Sequence, residues 1–332
     1  MIIIDGSIGG GQILRTALGL SCLYKKPFQL INIRKNRPNP GLQEQHLQTV
    51  LAVKKICEAE VEGAYKNSCE LKFVPHEVSK TNLDIKISTA GSVGLVLQSL
   101  LIVGFKYPLD VKISGGATYG KWAASVDFVD KVFGFWLRKL GMEIDIKVLK
   151  HGFYPQGGAE VEVKIRPTDF SSPIVAENLG EVKKIELICV VSEGLKKKNV
   201  LERIIQTAKQ EILKNFSDVK ISTQAEYVAT LCDGCGVTLM GECEKGVVGN
   251  SVVGEIRKSS EELAEEAVKV FLEDLKKDAL DRYTSDQLIP YLGILGGKIK
   301  VSQVTEHVRS NIEVVEKFLP VKFRIEKDFI VV

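Results

Sequence analysis

The sequence has no apolar run of the roughly 20 residues that a membrane-spanning helix needs. It also has no strong charge excess, because 45 lysines and arginines stand against 42 aspartates and glutamates, which gives a net charge of +3. So small an excess argues against binding along a long stretch of nucleic-acid backbone. We therefore expect no membrane partner, and we expect any polyanion to be held at a local cluster, by its end.

Cysteines are few, with seven scattered along 332 residues, and the first residues, MIIIDGSIGGG, carry no basic stretch before their apolar part. Neither a disulfide framework nor a secretory signal is indicated, so we expect a cytoplasmic protein. Cys232 and Cys235 enclose Asp-Gly, and Cys243 follows. A structural zinc site takes four ligands, usually as two pairs. A turn or a local disulfide is therefore favoured over a metal site.

Three segments share one order of predicted elements: a helix beginning near a glutamine, a strand, a second helix and further strands. Their first helices are expected near Gln12, Ser92 and Thr284, and the spacing from Thr284 to Gln287 is that of a capping box. This pattern predicts an α/β (α+β) fold in which three repeated βαβαββ-like units form a large domain.

Residues 181–277 interrupt the repeats with a different pattern. A strand is predicted near 185–191, a helix over Val200–Leu213 and a second helix over 261–275. One face of the first helix is apolar enough for a small core, through Val200, Ile204, Ala208 and Ile212. We predict a smaller inserted α+β domain over 181–277, which leaves 1–180 and 278–332 for the large domain.

A glycine-rich segment, residues 5–12, leads directly into the first apolar helix. Glycines at a helix start let backbone N–H groups approach an anion, although a tight strand-to-helix turn explains them equally well. Arg15 lies on this helix among apolar residues. A buried guanidinium needs a partner, either Asp5 or a bound phosphate.

A basic loop follows the first unit's second strand. Arg34, Lys35 and Arg37 fall within four consecutive residues of a proline-rich loop, and Gln45 follows in the next helix. Restricted cations so close together favour a phosphate clamp, whereas a solvated basic loop is the alternative.

His307 follows a predicted strand at 298–301 and precedes a helix that we expect to begin at Ser310. The adjacent helix N-terminus and Arg309 favour a neutral imidazole that can attack a phosphorus. An ordinary loop histidine is the alternative.

With these segments in this order, the chain resembles the RNA 3′-terminal phosphate cyclases over nearly its full length. The resemblance is carried by residues 9–15, 34–46, 92–98, 151–158, 283–287 and 307–320. It implies an ATP-dependent ligase that acts on an RNA 3′ end in three steps. A histidine, here His307, takes AMP from ATP and releases pyrophosphate. The AMP passes to an RNA 3′-phosphate, and the neighbouring 2′-hydroxyl then displaces it to close a 2′,3′-cyclic phosphate.

The resemblance also implies roles for individual residues. The positions that match the family's ATP site are Gln98, Tyr283, Thr284, Ser285, Asp286 and Gln287, with Tyr283 available to stack on adenine. Those that match phosphate and RNA-end contacts are Gln12, Arg15, Arg34, Arg37 and Gln45. Mg²⁺ or Mn²⁺ is the implied ion, and the sequence is compatible with an oligomer.

Two departures from the family pattern are visible. Ile8 stands directly before Gly9, where the family has a glutamate that looks like a metal ligand, so we expect Asp5 or Asp286 to compensate. Trp122 stands in a stretch that is proline-rich in the family, and we hypothesise that it packs against the adenine.

Two other functions are also compatible with the sequence. A cyclase-like branch of the family lacks the catalytic histidine and binds RNA in ribosome assembly. The presence of His307 argues against that function, and the missing glutamate argues for it. Enolpyruvyl transferases repeat a similar unit but form no covalent nucleotide, so adenylate formation separates them from cyclases.

Overall fold

The computed structural model describes residues 1–167 and 172–332, apart from the side chain of Ile8. The first unit alternates strands with helices and closes with a hairpin. Its elements are β1 (Ile2–Asp5), α1 (Gly11–Tyr24), β2 (Phe28–Ile31), α2 (Glu44–Ile56), β3 (Glu60–Glu62) and β4 (Leu71–Val74).

The second unit repeats this order, and its second helix is built of three consecutive helical segments. The elements are β5 (Asn82–Ser92), α3 (Val93–Gly104), β6 (Leu109–Ala117), α4 (Val126–Phe128), a π-helical segment (Val129–Phe133), α5 (Gly134–Lys139), β7 (Glu143–Lys150) and β8 (Glu160–Arg166).

The third unit is divided in the sequence. Its first strand is β9 (Ile174–Ala176). There follow β10 (Val182–Ser192), α6 (Val200–Leu213), β11 (Lys220–Val228), β12 (Cys235–Cys243), β13 (Val247–Val253) and α7 (Ser260–Leu275). The unit then resumes with α8 (Arg282–Leu295), β14 (Gly297–Lys300), α9 (Glu306–Phe318), β15 (Arg324–Glu326) and β16 (Phe329–Val331).

Strand order confirms the predicted repeats. The three sheets run β1-β2-β4-β3, β5-β6-β8-β7 and β9-β14-β16-β15. In each sheet the first two strands are parallel, and the remaining pairs are antiparallel. A parallel pair needs a crossover, which the first helix of each unit provides. The fold is thus α+β with three βαβαββ units, and the first strand of the third unit precedes the interrupting segment.

The interrupting segment forms its own sheet, ordered β11-β10-β12-β13. The predicted apolar stripe of α6 is buried, and its side chains belong to one continuous hydrophobic core that extends into the three units. The domain boundaries at 181 and 277 stay predictions. No helix within the described ranges is long and apolar enough to cross a membrane.

Two helix starts differ from the prediction. Helix α8 begins at Arg282 rather than Thr284, because the Asp281 carboxylate accepts hydrogen bonds from the backbone N–H groups of the first turn. Helix α9 begins at Glu306 rather than Ser310, because the Thr305 hydroxyl caps it. His307 therefore lies within the first turn of α9 and not before the helix.

The first helices of the units pack together in the interior. Helix α1 is buried along nearly its whole length and contacts α2, α3 and α9, while α3 contacts α8. Hydrophobic burial on all sides of α1 explains why its sequence shows little polar periodicity. Polar side chains at the starts of these helices are consequently brought towards one another.

Candidate active site

A cleft of about 660 Å³ opens where the first helices of the three units converge. Arg15 is the fifth residue of α1, Gln98 the sixth of α3 and Asp286 the fifth of α8, and all three line the cleft. The first helix of each unit therefore supplies a polar side chain to the cleft from its second turn. Further lining comes from Gly10, Gly11, Gln12, Arg34, Arg37, Gln45, His46, Trp122, Tyr283, Gln287, Tyr291, His307 and Asn311.

His307 and Asp286 form a pair in this cleft. His307 Nδ1 lies 3.1 Å from Asp286 Oδ2, and the imidazole is 46% exposed whereas the carboxylate is largely buried. Burial raises the pKa of Asp286, and the hydrogen bond to His307 and the charge of Arg15 act against that rise. When Asp286 is ionised it can only accept, so Nδ1 carries the proton and Nε2 keeps a free lone pair.

Arg15 is buried beside this pair, and its Nε donates to Gln98 Oε1. Burial lowers the pKa of Arg15 to about 10, so the guanidinium is charged at neutral pH. Asp5, the expected structural partner, is not in the cleft. Its carboxylate instead accepts from the backbone N–H of Ser7 at 2.9 Å and caps the 3-10 turn Gly6–Ile8.

The basic loop contributes two of its three cations to the cleft, Arg34 and Arg37. Arg34 Nη1 donates to the carbonyls of Asn39 at 2.6 Å and Gly41 at 2.9 Å, so this side chain also holds the loop closed. The pKa of Arg34 is lowered mainly by partial burial and to a smaller extent by the positive charge of Arg37.

The amides of Gln12 and Gln45 reach the cleft but make structural hydrogen bonds. Gln12 accepts from the Gly10 N–H and donates to Ser310 Oγ, both at 3.0 Å. Gln45 Oε1 accepts from the Ser92 N–H at 2.9 Å. These bonds tie the glycine loop to α9 and the second helix of one unit to the first helix of the next.

The segment 283–287 divides into two faces. Tyr283, Asp286 and Gln287 line the cleft, and the Tyr283 ring packs edge-on against Phe128. Thr284 and Ser285 are fully buried, and their hydroxyls donate to Asp281. Because these two point into the interior, they are not among the cleft-lining residues.

Asn311 lines the cleft and was not predicted from the sequence. Its side chain is buried, accepts from the Thr16 hydroxyl at 2.9 Å and donates to the Asp286 carbonyl at 2.9 Å. It follows His307 by four residues on α9, and residues four apart share a helix face, so this spacing was the available signal.

His46 also lines the cleft, and its Nδ1 accepts from the Gln43 N–H at 3.1 Å. Burial lowers the pKa of His46 to about 3. The ring is thus neutral at physiological pH and carries its proton on Nε2.

The described part of the chain contains no group of three or more His, Cys, Asp or Glu side chains placed to hold a metal. Among the described lining residues Asp286 is the one carboxylate, and His307 engages it. These residues do not fit a resident metal ion. Cys232 and Cys235 are free thiols, and Cys232 Sγ donates to the Phe153 carbonyl.

Comparison with known proteins gives one consistent match. The family model described as RNA 3′-terminal phosphate cyclase matches residues 7–325. Proteins of that name from Pyrococcus furiosus and Pyrococcus abyssi are each 40% identical over 331 residues, covering 98% of this chain and 95% of theirs. A protein of the same name from Saccharolobus solfataricus is 39% identical over 332 residues, covering 98% of this chain and 96% of its own. The chain therefore belongs to the RNA 3′-terminal phosphate cyclase family.

Proposed function

We propose that this protein uses ATP to convert an RNA 3′-terminal phosphate into a 2′,3′-cyclic phosphate through a covalent His307–AMP intermediate. The observation that carries the proposal is the 3.1 Å contact between His307 Nδ1 and Asp286 Oδ2 in a cleft lined by three arginines. A carboxylate behind an imidazole selects the tautomer whose other nitrogen is nucleophilic. Family membership supports the same reaction.

In the first step Nε2 of His307 attacks the α-phosphorus of ATP. A P–N bond forms, the bond to the β-phosphate bridging oxygen breaks, and pyrophosphate leaves. Asp286 keeps the proton on Nδ1 and stabilises the positive charge that develops on the ring. Arg15, held against Gln98, and the exposed Arg37 supply positive charge for the phosphate oxygens.

In the second step an oxygen of the RNA 3′-phosphate attacks the same phosphorus, and the P–N electron pair returns to Nε2. In the third step the neighbouring 2′-hydroxyl attacks the RNA phosphorus, loses its proton and releases AMP. Both steps are in-line phosphoryl transfers, for which positioning and charge stabilisation supply most of the catalysis. Tyr283 and Gln287 at the cleft wall are the proposed nucleotide contacts.

A divalent cation enters this proposal as part of the substrate. Mg²⁺ binds proteins through few carboxylates and keeps its contacts with nucleotide phosphates, so an ATP complex of Mg²⁺ or Mn²⁺ needs no resident site. Because ATP is the substrate, we also propose that the protein works in the cytoplasm.

The first experiment is incubation with α-³²P-labelled ATP and Mg²⁺ or Mn²⁺, followed by denaturing electrophoresis. We expect label on the wild type and none on His307→Ala. His76→Ala is the matched control, because His76 pairs with Glu60 on the surface and lies outside the cleft. The label should be acid-labile and alkali-stable, as a phosphoramidate is.

The second experiment adds RNA bearing a 3′-phosphate and follows its conversion to a phosphatase-resistant end. Label transfer and cyclisation that both require His307 support the full reaction. Folded wild type that binds RNA yet takes no label with either ion would instead support the non-catalytic, RNA-binding function.

A further inference from the structure

Trp122 is an unusually exposed aromatic residue at the rim of the cleft. Its side chain is 88% exposed, and its backbone has φ of +57°. A bulky residue in the left-handed region is uncommon and costs conformational energy. Neither burial nor favourable backbone geometry accounts for a tryptophan at this position.

The loop that carries Trp122 is anchored on both sides by β13 and the turn after it. Lys121 Nζ lies 2.7 Å from Glu255 Oε2, and the Ser125 N–H donates to Ser251 Oγ at 3.0 Å. These two contacts, on either side of the indole, hold the loop against the interrupting segment. The indole is thus presented to solvent on a fixed support.

A cation lies beside the indole, and the turn that Lys121 contacts carries an exposed apolar residue and a second cation. Lys121 Nζ lies 4.8 Å from the centre of the Trp122 ring. Ile256, the residue after Glu255, is 95% exposed, and Arg257 follows it. An aromatic face beside cations is the combination that holds single-stranded nucleic acid, since bases stack on the ring and phosphates contact the cations.

The position of Trp122 indicates whether its ring would stack on the adenine of ATP or on a base of the RNA. The inner wall of the cleft carries its own aromatic side chains, Phe133, Tyr283 and Tyr291, whereas Trp122 stands at the rim. A mononucleotide held at the inner wall would lie within the cleft, but an RNA strand whose 3′ end is in the cleft must continue past the rim. An occupant that leaves the cleft is therefore the better match for the exposed ring.

We propose that Trp122 stacks on an unpaired base of the RNA, next to its 3′-terminal nucleotide, with Lys121 and Arg257 beside the backbone. This inference rests on the proposed function, because it takes the RNA 3′ end to be in the cleft. Stacking of this kind tolerates any base, because every base has a π face. The interrupting segment would thereby take part in RNA binding, since it anchors the loop that carries Trp122 and contributes Arg257.

Tryptophan fluorescence tests the stacking directly. The chain has two tryptophans, and Trp136 is buried with its Nε1 donating to the Val247 carbonyl. In a Trp136→Phe background Trp122 is the sole reporter. Titration with a single-stranded RNA oligonucleotide bearing a 3′-phosphate should quench it, whereas ATP alone and inorganic phosphate should not. Quenching by ATP to the same extent would assign Trp122 to the adenine and overturn the proposal.

Kinetics provide a second test. Trp122→Ala should raise the KM for RNA roughly ten-fold or more, with the KM for ATP changed by less than about two-fold. Trp122→Phe should recover most of the loss, and Trp122→Leu should not, because an aromatic face is what stacks. An equal rise for all three variants would show a merely structural role.

Different results would contradict the covalent mechanism and the stacking of Trp122 on RNA. If wild type takes label from ATP but RNA leaves the fluorescence of Trp122 unchanged while a filter assay shows binding, the stacking is wrong and the function stands. If RNA quenches Trp122 but no adenylate forms with either ion, the stacking stands and the covalent mechanism is wrong.

Discussion

The side-chain amide of Asn311 donates to the backbone carbonyl of Asp286 over 2.9 Å, and its oxygen accepts from the Thr16 hydroxyl. One buried residue thus joins the first helices of the first and third units to the helix that carries His307. The bond also fixes the carbonyl of the residue that pairs with His307. The geometry of the His307–Asp286 pair therefore depends on an interaction one helical turn away from it.

Replacing Asn311 should cost stability because its partners would lose their hydrogen bonds inside the protein. In Asn311→Leu the Thr16 hydroxyl and the Asp286 carbonyl are left unpaired, at about 1–3 kcal/mol each. We expect the free energy of unfolding, measured with urea, to fall accordingly. The double variant Thr16→Val with Asn311→Leu should lose less than the sum of the single variants. Strictly additive losses in the free energy of unfolding would contradict the hydrogen bond between Thr16 and Asn311.

Asp286→Asn should slow formation of the His307 adenylate. An amide in place of the carboxylate no longer fixes the imidazole tautomer, and in a comparable histidine–carboxylate pair that change costs about 10⁴-fold in rate. We expect a loss of roughly 10²-fold or more in the single-turnover labelling rate.

The control for Asp286→Asn is Asp130→Asn, since Asp130 pairs with Arg138 outside the cleft. That variant should label at the wild-type rate. An Asp286→Asn enzyme as fast as wild type would show that Asp286 does not orient His307.

His46 should make stability depend on pH. Its folded-state pKa of about 3 lies below the ordinary value of 6.5, so the unfolded chain binds a proton that the folded chain does not. Above about pH 6.5 His46 is neutral in both the folded and the unfolded chain, so it does not lower the free energy of unfolding. As the pH falls below 6.5, the unfolded chain binds a proton and the free energy of unfolding decreases. When the pH is lowered from about 7.5 to about 5.5, the proton uptake of His46 should reduce the free energy of unfolding by about 1.4 kcal/mol.

Urea unfolding at the two pH values checks this expectation. His46→Gln should reduce the pH-dependent loss by about that amount, whereas His76→Gln, on the surface, serves as the histidine control. An unchanged pH slope in His46→Gln would mean that the ring is not held neutral by burial.

Gly11→Ala should impair the site more than the fold. A Cβ at Gly11 would lie 2.2 Å from His46 Nε2 and 2.7 Å from Arg15 Nη1, so both side chains must move. We expect a loss of about ten-fold or more in labelling rate at saturating ATP, because small displacements of positioning groups are costly. Gly293→Ala is the comparison, since its Cβ would meet Val315 in the packed interior, 2.4 Å away. That variant should lower the melting temperature and leave the rate per folded molecule nearly unchanged.

Several elements followed from the sequence because their signals are local. The helix Val200–Leu213 was predicted with the bounds that the structure has, since its apolar stripe has a clear helical period. The three repeats were also predicted from the sequence, because the periodicity of each helix and strand is a local signal. The starts of α8 and α9 were predicted two and four residues too late, because Asp281 and Thr305 cap the first turns of these helices and the sequence offers several capping residues close together.

What the sequence determined by itself is the repeated unit, its helices and strands, and the family to which the chain belongs. Only the tertiary structure decided which side chains meet. Asp286 and His307 are 21 residues apart and Arg15 and Gln98 are 83 apart, and packing of the three units brings each pair into contact. Tertiary packing likewise turned Thr284 and Ser285 inwards and left Trp122 on the rim. Periodicity specifies which face of a helix is buried, but the neighbour of that face depends on how the units pack, which no local pattern encodes.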